Sequence, residues 1–260
     1  MDKNQPLEKE AIEAAITSDW EKAIKLNEKI IANDKKNVDA YLRLGFAYLQ
    51  KSNIKKAKNI YRKVQKLQPG SFLISDNLER IKILESKKIS HISPTQLNPY
   101  VFIDVPGKTK AVTLVNCGQK AILAKLAIGQ EVFLVPKRRR IEVRSKEKEY
   151  IGCLPDDISK RLIIFMKAGS VFRAFIKETT LKSTSAFLKE EKKGRKVARY
   201  ASFPINFQAG LGNIHFSDKE GKEDDIEEIS DNDLDKLAET LNEEKEYLGY
   251  EPEDKEEVEE

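Results

Sequence analysis

Cysteine, histidine and long apolar runs are all scarce in this sequence, and each scarcity excludes something. Its 260 residues hold two cysteines, Cys117 and Cys153, and two histidines, His91 and His215. Two thiols cannot form a disulfide framework, no CxxC pair occurs, and the pattern suits a reducing, cytoplasmic setting. So few thiols and imidazoles, so widely spread, match neither a zinc site of usual spacing nor a nucleophile–base pair. No catalytic residue, metal, cofactor or small-molecule substrate is therefore expected, and the chain reads as non-enzymatic. The longest apolar stretch, LIIFM at 162–166, is far too short to span a bilayer. The first fifteen residues, MDKNQPLEKEAIEAA, lack the basic start and apolar run of a signal peptide, so no membrane partner is expected. VPGKTK at 105–110 holds the Gly-Lys-Thr of a phosphate-binding loop. The glycine required five positions before Gly107 is replaced by Phe102, so the stretch reads as a turn.

Charge is abundant and unevenly spread. Residues 1–107 carry 19 Lys/Arg and 13 Asp/Glu, residues 108–200 carry 23 and 9, and residues 201–260 carry 5 and 21. A basic middle followed by an acidic end attracts polyanions and competes with its own tail for the same surface. Aliphatic and aromatic residues make up 40% of the chain against 35% charged residues, enough for packed cores in parts of it only.

The first part repeats itself. SDWEKA from Ser18 and SNIKKA from Ser52 share the pattern S-[DN]-x-[EK]-K-A at a spacing of 34 residues, so Ala23 corresponds to Ala57. That is the period of a helix–turn–helix solenoid unit. In the second copy Gly45 and Ala57 are small where two helices must approach closely. Leu44, Tyr48 and Tyr61 fill the space between, and Pro69 ends the second helix. With Tyr41 these positions resemble a tetratricopeptide repeat, over roughly residues 4–70. The first copy is degenerate, with Leu7 at the first aromatic position and Glu10 and Ala11 at the Leu-Gly pair. The stretch 72–88, with Leu73, Leu78, Ile81 and Leu84 on one stripe, is expected to be a capping helix. The resemblance implies a groove for a protein or peptide partner, lined here by Leu42, Phe46 and Leu49. Their apolar character implies a hydrophobic ligand segment; equally, they could simply pack on a neighbouring helix or domain.

From residue 99 the texture changes to short β-branched and aromatic runs: YVFIDV, AVTLV, AILAKLAI, EVFLV, IEVR, EYIGCL and VFRAFIK. Spacing of this kind predicts a small barrel or sandwich. One helix interrupts it at 155–169, opening on Asp156 and Asp157, stopping at Gly169 and burying Ile158, Leu162 and Phe165. IGCLPDDISKRLIIFMKAGSVFRAFI resembles the HIRAN domain over about 130–177. That resemblance implies a small β-barrel that binds the end of single-stranded DNA. The chain has PKRRR where that family carries an Asn/Asp-rich stretch.

The basic residues carry the functional expectation. In RIEVR, strand alternation turns Ile141 and Val143 inward and Arg140, Glu142 and Arg144 outward, while Lys137, Arg138 and Arg139 form the turn after Pro136. Residues 181–205 read as a hairpin whose tip, at Gly194, holds Lys192, Lys193, Arg195 and Lys196, followed by Arg199. If both segments share a side they form one groove for RNA or DNA single strands, with Tyr150, Phe172 and Tyr200 as stacking candidates.

The expected architecture is α+β and multidomain. A helical module spans 1–90, a linker 91–98, a basic β-rich domain 99–208 and an acidic tail 209–260, with a short helix at 231–247 bearing Leu234, Leu237 and Leu241. The tail either folds back on the basic domain as an autoinhibitory polyanion mimic, docks a partner, or only solvates. The expected function is an adaptor joining a protein partner to nucleic acid. The alternative is a protein–protein scaffold whose basic domain binds acidic proteins or its own tail.

Overall fold

A computed structural model describes residues 4–87 and 99–203. The linker 91–98, the tail with its expected helix 231–247, and both histidines lie outside these residues.

Five helices come first: α1 (Gln5–Ile16), α2 (Trp20–Asn33), α3 (Val38–Gln50), α4 (Ile54–Leu67) and α5 (Phe72–Ser86). The 34-residue period recurs in the backbone of the turns between paired helices. Ser18 and Ser52 both adopt positive φ, at 60° and 56°. Asp19 N–H bonds Ala14 O and Asn53 N–H bonds Tyr48 O, each at 2.8 Å. The Asp19 and Asn53 side chains then cap the next helix, accepting from Lys22 N–H and Lys56 N–H. Ala23 and Ala57 are buried at the crossings, and a Cβ on Gly45 would sit 2.9 Å from the Tyr61 ring. Close helix approach is thus set by residues that lack bulk.

Beyond a 3-10 turn at Pro99–Phe102 lies a six-stranded antiparallel sheet in the order β1-β6-β5-β2-β3-β4. Its strands are β1 (Thr109–Thr113), β2 (Glu131–Pro136), β3 (Ile141–Arg144), β4 (Tyr150–Cys153), β5 (Val171–Thr179) and β6 (Thr184–Lys192). The sheet curls into a half-barrel until its ends meet: Val115 and Cys153 exchange two backbone hydrogen bonds of 2.8 Å. Helix α7 (Asp156–Lys167) joins β4 to β5 and drives Ile158, Leu162 and Phe165 into the core with Val143, Ile176 and Leu188. Among the described residues no helix is long and apolar enough to cross a membrane.

Four local expectations are corrected. YVFIDV is not a strand: it forms the 3-10 turn and an irregular run, with Phe102 laid edge-on to Phe187 at 5.7 Å. AILAKLAI holds the one-turn helix α6 (Lys120–Leu123), and its buried residues Leu123, Ala124, Leu126 and Ala127 follow helical rather than alternating spacing. The hairpin at 181–205 turns elsewhere. KEEK belongs to strand β6, and the β5–β6 reversal is at 180–183, where Thr180 N–H bonds Ser183 O. Gly194 serves a different need, since a Cβ there would sit 2.2 Å from Ala168 O. Finally, Leu73 shares the stripe of Arg80 and Leu84 but is 57% exposed in the first turn, and the helix buries Ile74, Arg80, Ile81 and Leu84.

α5 serves two partners, packing Ile81 into the helical repeat and Leu84 against Ala124, Ala127 and Leu181 of the sheet domain. Between these contacts the Arg80 guanidinium is buried, donating from Nε to Ala124 O at 2.9 Å and from Nη2 to Leu126 O at 2.6 Å. Desolvation pulls its pKa below the ordinary arginine value, but the two carbonyls just past α6 supply its ligands. Lys120–Glu79 reinforces the joint at 2.6 Å. Replacing Arg80 by Met leaves those carbonyls without donors, a loss of about 2–5 kcal/mol. In urea unfolding of Arg80→Met, the transition followed by Trp20 fluorescence should separate from that followed by far-UV dichroism. Coincident transitions with an unchanged midpoint would contradict this role for Arg80.

Candidate functional site

Two neighbours on the central sheet decide where the basic segments lie. β5 pairs with β2 through Glu131↔Phe175 and Val132↔Ala174, and with β6 through Val171↔Lys192, all antiparallel. The end of β2, the start of β5 and the end of β6 therefore share one end of the sheet. The 137–140 turn follows directly from the first, and residues 193–199 follow from the last. At about 4.8 Å per strand the two segments leave the sheet roughly 10 Å apart, with Ala168–Ser170 between them. Lys167, in the last turn of α7, enters at the same end.

Each basic residue has its own circumstances. Lys137 N–H closes the turn on Arg140 O at 2.8 Å; Lys137 and Arg138 are half-buried, Arg139 and Arg140 exposed. Glu142 does not face solvent as alternation implied: it is 6% exposed and sits between two arginines. Arg144 donates to its Oε2 from Nε and Nη2 at 3.0 and 2.7 Å, and Arg140 approaches Oε1 at 3.6 Å. Two guanidiniums make a buried carboxylate tolerable, and part of their own charge is spent there. Lys192, Arg195, Lys196 and Arg199 are exposed.

Lys193 is corrected from contact residue to internal strut. Its Nζ donates to Tyr200 O at 2.7 Å and Ser202 Oγ at 3.0 Å, pairs with Glu190 at 3.1 Å and lies over the Phe165 ring. Desolvation holds its pKa below the usual lysine value despite Glu190. Arg161, which was not singled out from the sequence, completes this clamp by donating to the carbonyls of Ser202 and Ala201 at 3.1 and 2.6 Å. Five nearby cations look alike in KKGRKVAR; only the fold shows that one holds the 200–203 segment in place.

The stacking candidates change too. Phe172 is buried, edge-on to Phe203 at 6.0 Å. Tyr200 is half-buried on the core. Tyr150 donates its hydroxyl to Asn116 O at 2.8 Å, and burial, ahead of Cys153, pushes its pKa up to about 12. Phe133 was missed: it is 48% exposed on β2, directly across from Arg144. In EVFLV four consecutive apolar residues mask which face each takes.

In the helical module, Leu42 is half-buried against the Leu44–Tyr61 cluster and Phe46 lies edge-on to Trp20 at 5.8 Å. Leu49 is 1% exposed and belongs to that cluster, so it lines no groove. In VPGKTK, Gly107 has φ 76° in a turn where Lys108 and Thr109 N–H both bond Val105 O, and a strand follows. A phosphate loop needs a helix there. Among the described residues no group of three or more His, Cys, Asp or Glu side chains could hold a metal.

Comparison of the chain with protein-family models, with curated proteins and with solved structures returned no match.

Separating the strut from the surface cations is a direct test. Lys193→Met strands the buried Glu190 carboxylate, whose Oε1 has no hydrogen-bond partner among the described residues; the loss should be about 3–5 kcal/mol. Arg195→Met, Lys196→Met and Arg199→Met should each stay within about 0.5 kcal/mol by thermal denaturation. Equal effects for all four would refute the distinction.

Proposed function

We propose that the protein is a non-enzymatic adaptor. Its helical hairpins, read as tetratricopeptide repeats, engage a protein partner, and the basic end of its half-barrel binds the phosphate backbone of single-stranded nucleic acid. The observation that carries the second part is the strand register, which brings the 137–140 turn and the 192–199 segment to one end of the sheet. Cations 55 residues apart in sequence then lie at one end of the sheet, as backbone tracking requires. Phe133 beside Arg144 supplies an aromatic surface on the adjacent strand face. The repeated inter-helix turn supports the tetratricopeptide reading, and a curled sheet with one helix between β4 and β5 supports likeness to the HIRAN barrel. Backbone contact without base-edge readout implies little sequence preference.

Fluorescence anisotropy of the full chain with a labelled oligonucleotide, titrated over a range of salt, tests this. Affinity should fall steeply with salt. Arg139→Gln and Arg199→Gln should each lower the log–log slope by about 0.7, the value for one phosphate contact on a single strand. No binding at about 50 mM salt, well below the physiological ionic strength at which Debye screening sets in near 8 Å, would overturn it. Binding of polyglutamate in its place would favour the scaffold reading.

A further inference from the structure

The helical module carries a surface that its own packing leaves unused. α4 contains Lys55, Lys56, Lys58, Arg62, Lys63 and Lys66 and no acid. Lys58 is tied to Glu85, and Lys56 lies over the Tyr48 ring. Lys55, Arg62, Lys63 and Lys66 are exposed, and their spacing places them on one helical face. The chain then turns through Gly70, at φ 90°, into α5. On either side of that turn three large apolar side chains face water: Leu67 at 43% exposure, Phe72 at 89% and Leu73 at 57%. Phe72 points away from the face of Ile74, Ile81 and Leu84, and Leu73, although in phase with Arg80 and Leu84, sits in the first turn of α5 where no described residue covers it.

An occupant of this corner has to be both anionic and apolar along one stripe. Residues 231–247, DNDLDKLAETLNEEKEY, carry seven acids and two lysines, with Leu234, Leu237 and Leu241 at i, i+3 and i+7. We propose that this segment docks in cis as an acidic amphipathic helix on the α4–α5 corner. Its leucines lie against Leu67, Phe72 and Leu73, and its carboxylates face Lys55, Arg62, Lys63 and Lys66. Thirty residues separate Phe203 from Leu234, a length of chain that reaches up to about 100 Å when stretched. A described body of this size has a radius of gyration of roughly 16 Å, so the corner is within reach. Tethering also gives the tail an effective concentration of order millimolar, which favours it over a separate acidic partner of equal affinity.

The leucine stripe decides between the two basic surfaces of the protein. At the basic end of the half-barrel the exposed large apolar side chains are Val171 and Phe133, on separate strands, whereas the corner presents three, Leu67, Phe72 and Leu73, around one turn. The corner therefore offers the leucine stripe the larger apolar surface. This inference stands independently of nucleic-acid binding.

Zero-length carbodiimide cross-linking of the dilute full chain, with mass spectrometry of the monomer band, tests it. Links are expected between Lys55, Lys63 or Lys66 and acids within 231–247. Their yield should fall about tenfold or more in the charge-preserving variant Leu234→Ser/Leu237→Ser/Leu241→Ser, since each buried methylene is a factor of about four. Phe72→Ser, at a side chain almost wholly in solvent, should also reduce them. Tail links to Lys137, Lys192 or Lys196 in their place, links confined to the dimer band, links undiminished by the leucine variant, or no links at all would each overturn the proposal.

Discussion

The buried guanidinium of Arg80 is the interaction on which the arrangement of the two halves depends. It comes from the last helix of the N-terminal half and donates to two carbonyls of the sheet domain. A single positive charge in a desolvated joint tolerates no slack, because every lost hydrogen bond leaves it less compensated. That requirement fixes the rotation of α5, turns Leu84 toward Ala124, Ala127 and Leu181, and leaves Phe72 outside. The last of the five N-terminal helices is thus also the bracket of the β domain.

A second constraint sorts the charges. The middle of the chain is strongly basic, but its cations do unlike things. Arg161 and Lys193 hold the 200–203 segment against the core, and Arg140 and Arg144 neutralise a buried Glu142. Arg173 lies over Phe175 while paired with Glu131. Lys192, Arg195, Lys196 and Arg199 are exposed at one end of the sheet with Arg139, while Lys146, Lys148 and Lys182 are exposed in turns at the other. Net charge alone overstates the available field; position corrects it.

The helical half was the more legible in sequence, because its period recurs in side chains that act locally. Ser18, Asp19 and Ala23 do at one turn what Ser52, Asn53 and Ala57 do at the next. The α7 helix was equally plain from its acidic start, its apolar stripe and Gly169. The sheet was legible as a class but not in its pairing. Nothing in KEEKKGRK tells that the strand runs through to Lys192, since the turn is set by Thr180–Ser183 and by the space behind Gly194. Leu49, Phe172 and Lys193 were misplaced for one reason: each has a side chain suited to surface or core, and a distant contact makes the choice. Glu142 became buried only because two arginines converge on it.

The bridge between Val115 and Cys153 has a further meaning for solubility and folding order. A curled sheet has two raw edges, and here the chain leaving β1 and the last residue of β4 cover one another. An exposed strand edge is a template for pairing with other chains, so closing this one blunts a route to aggregation and strand exchange. Closure also demands that β1 find β6 across some seventy residues of chain before the seam can form. The protein is therefore most vulnerable to association while it folds, in the interval when β4 is in place and its free edge still waits for Val115.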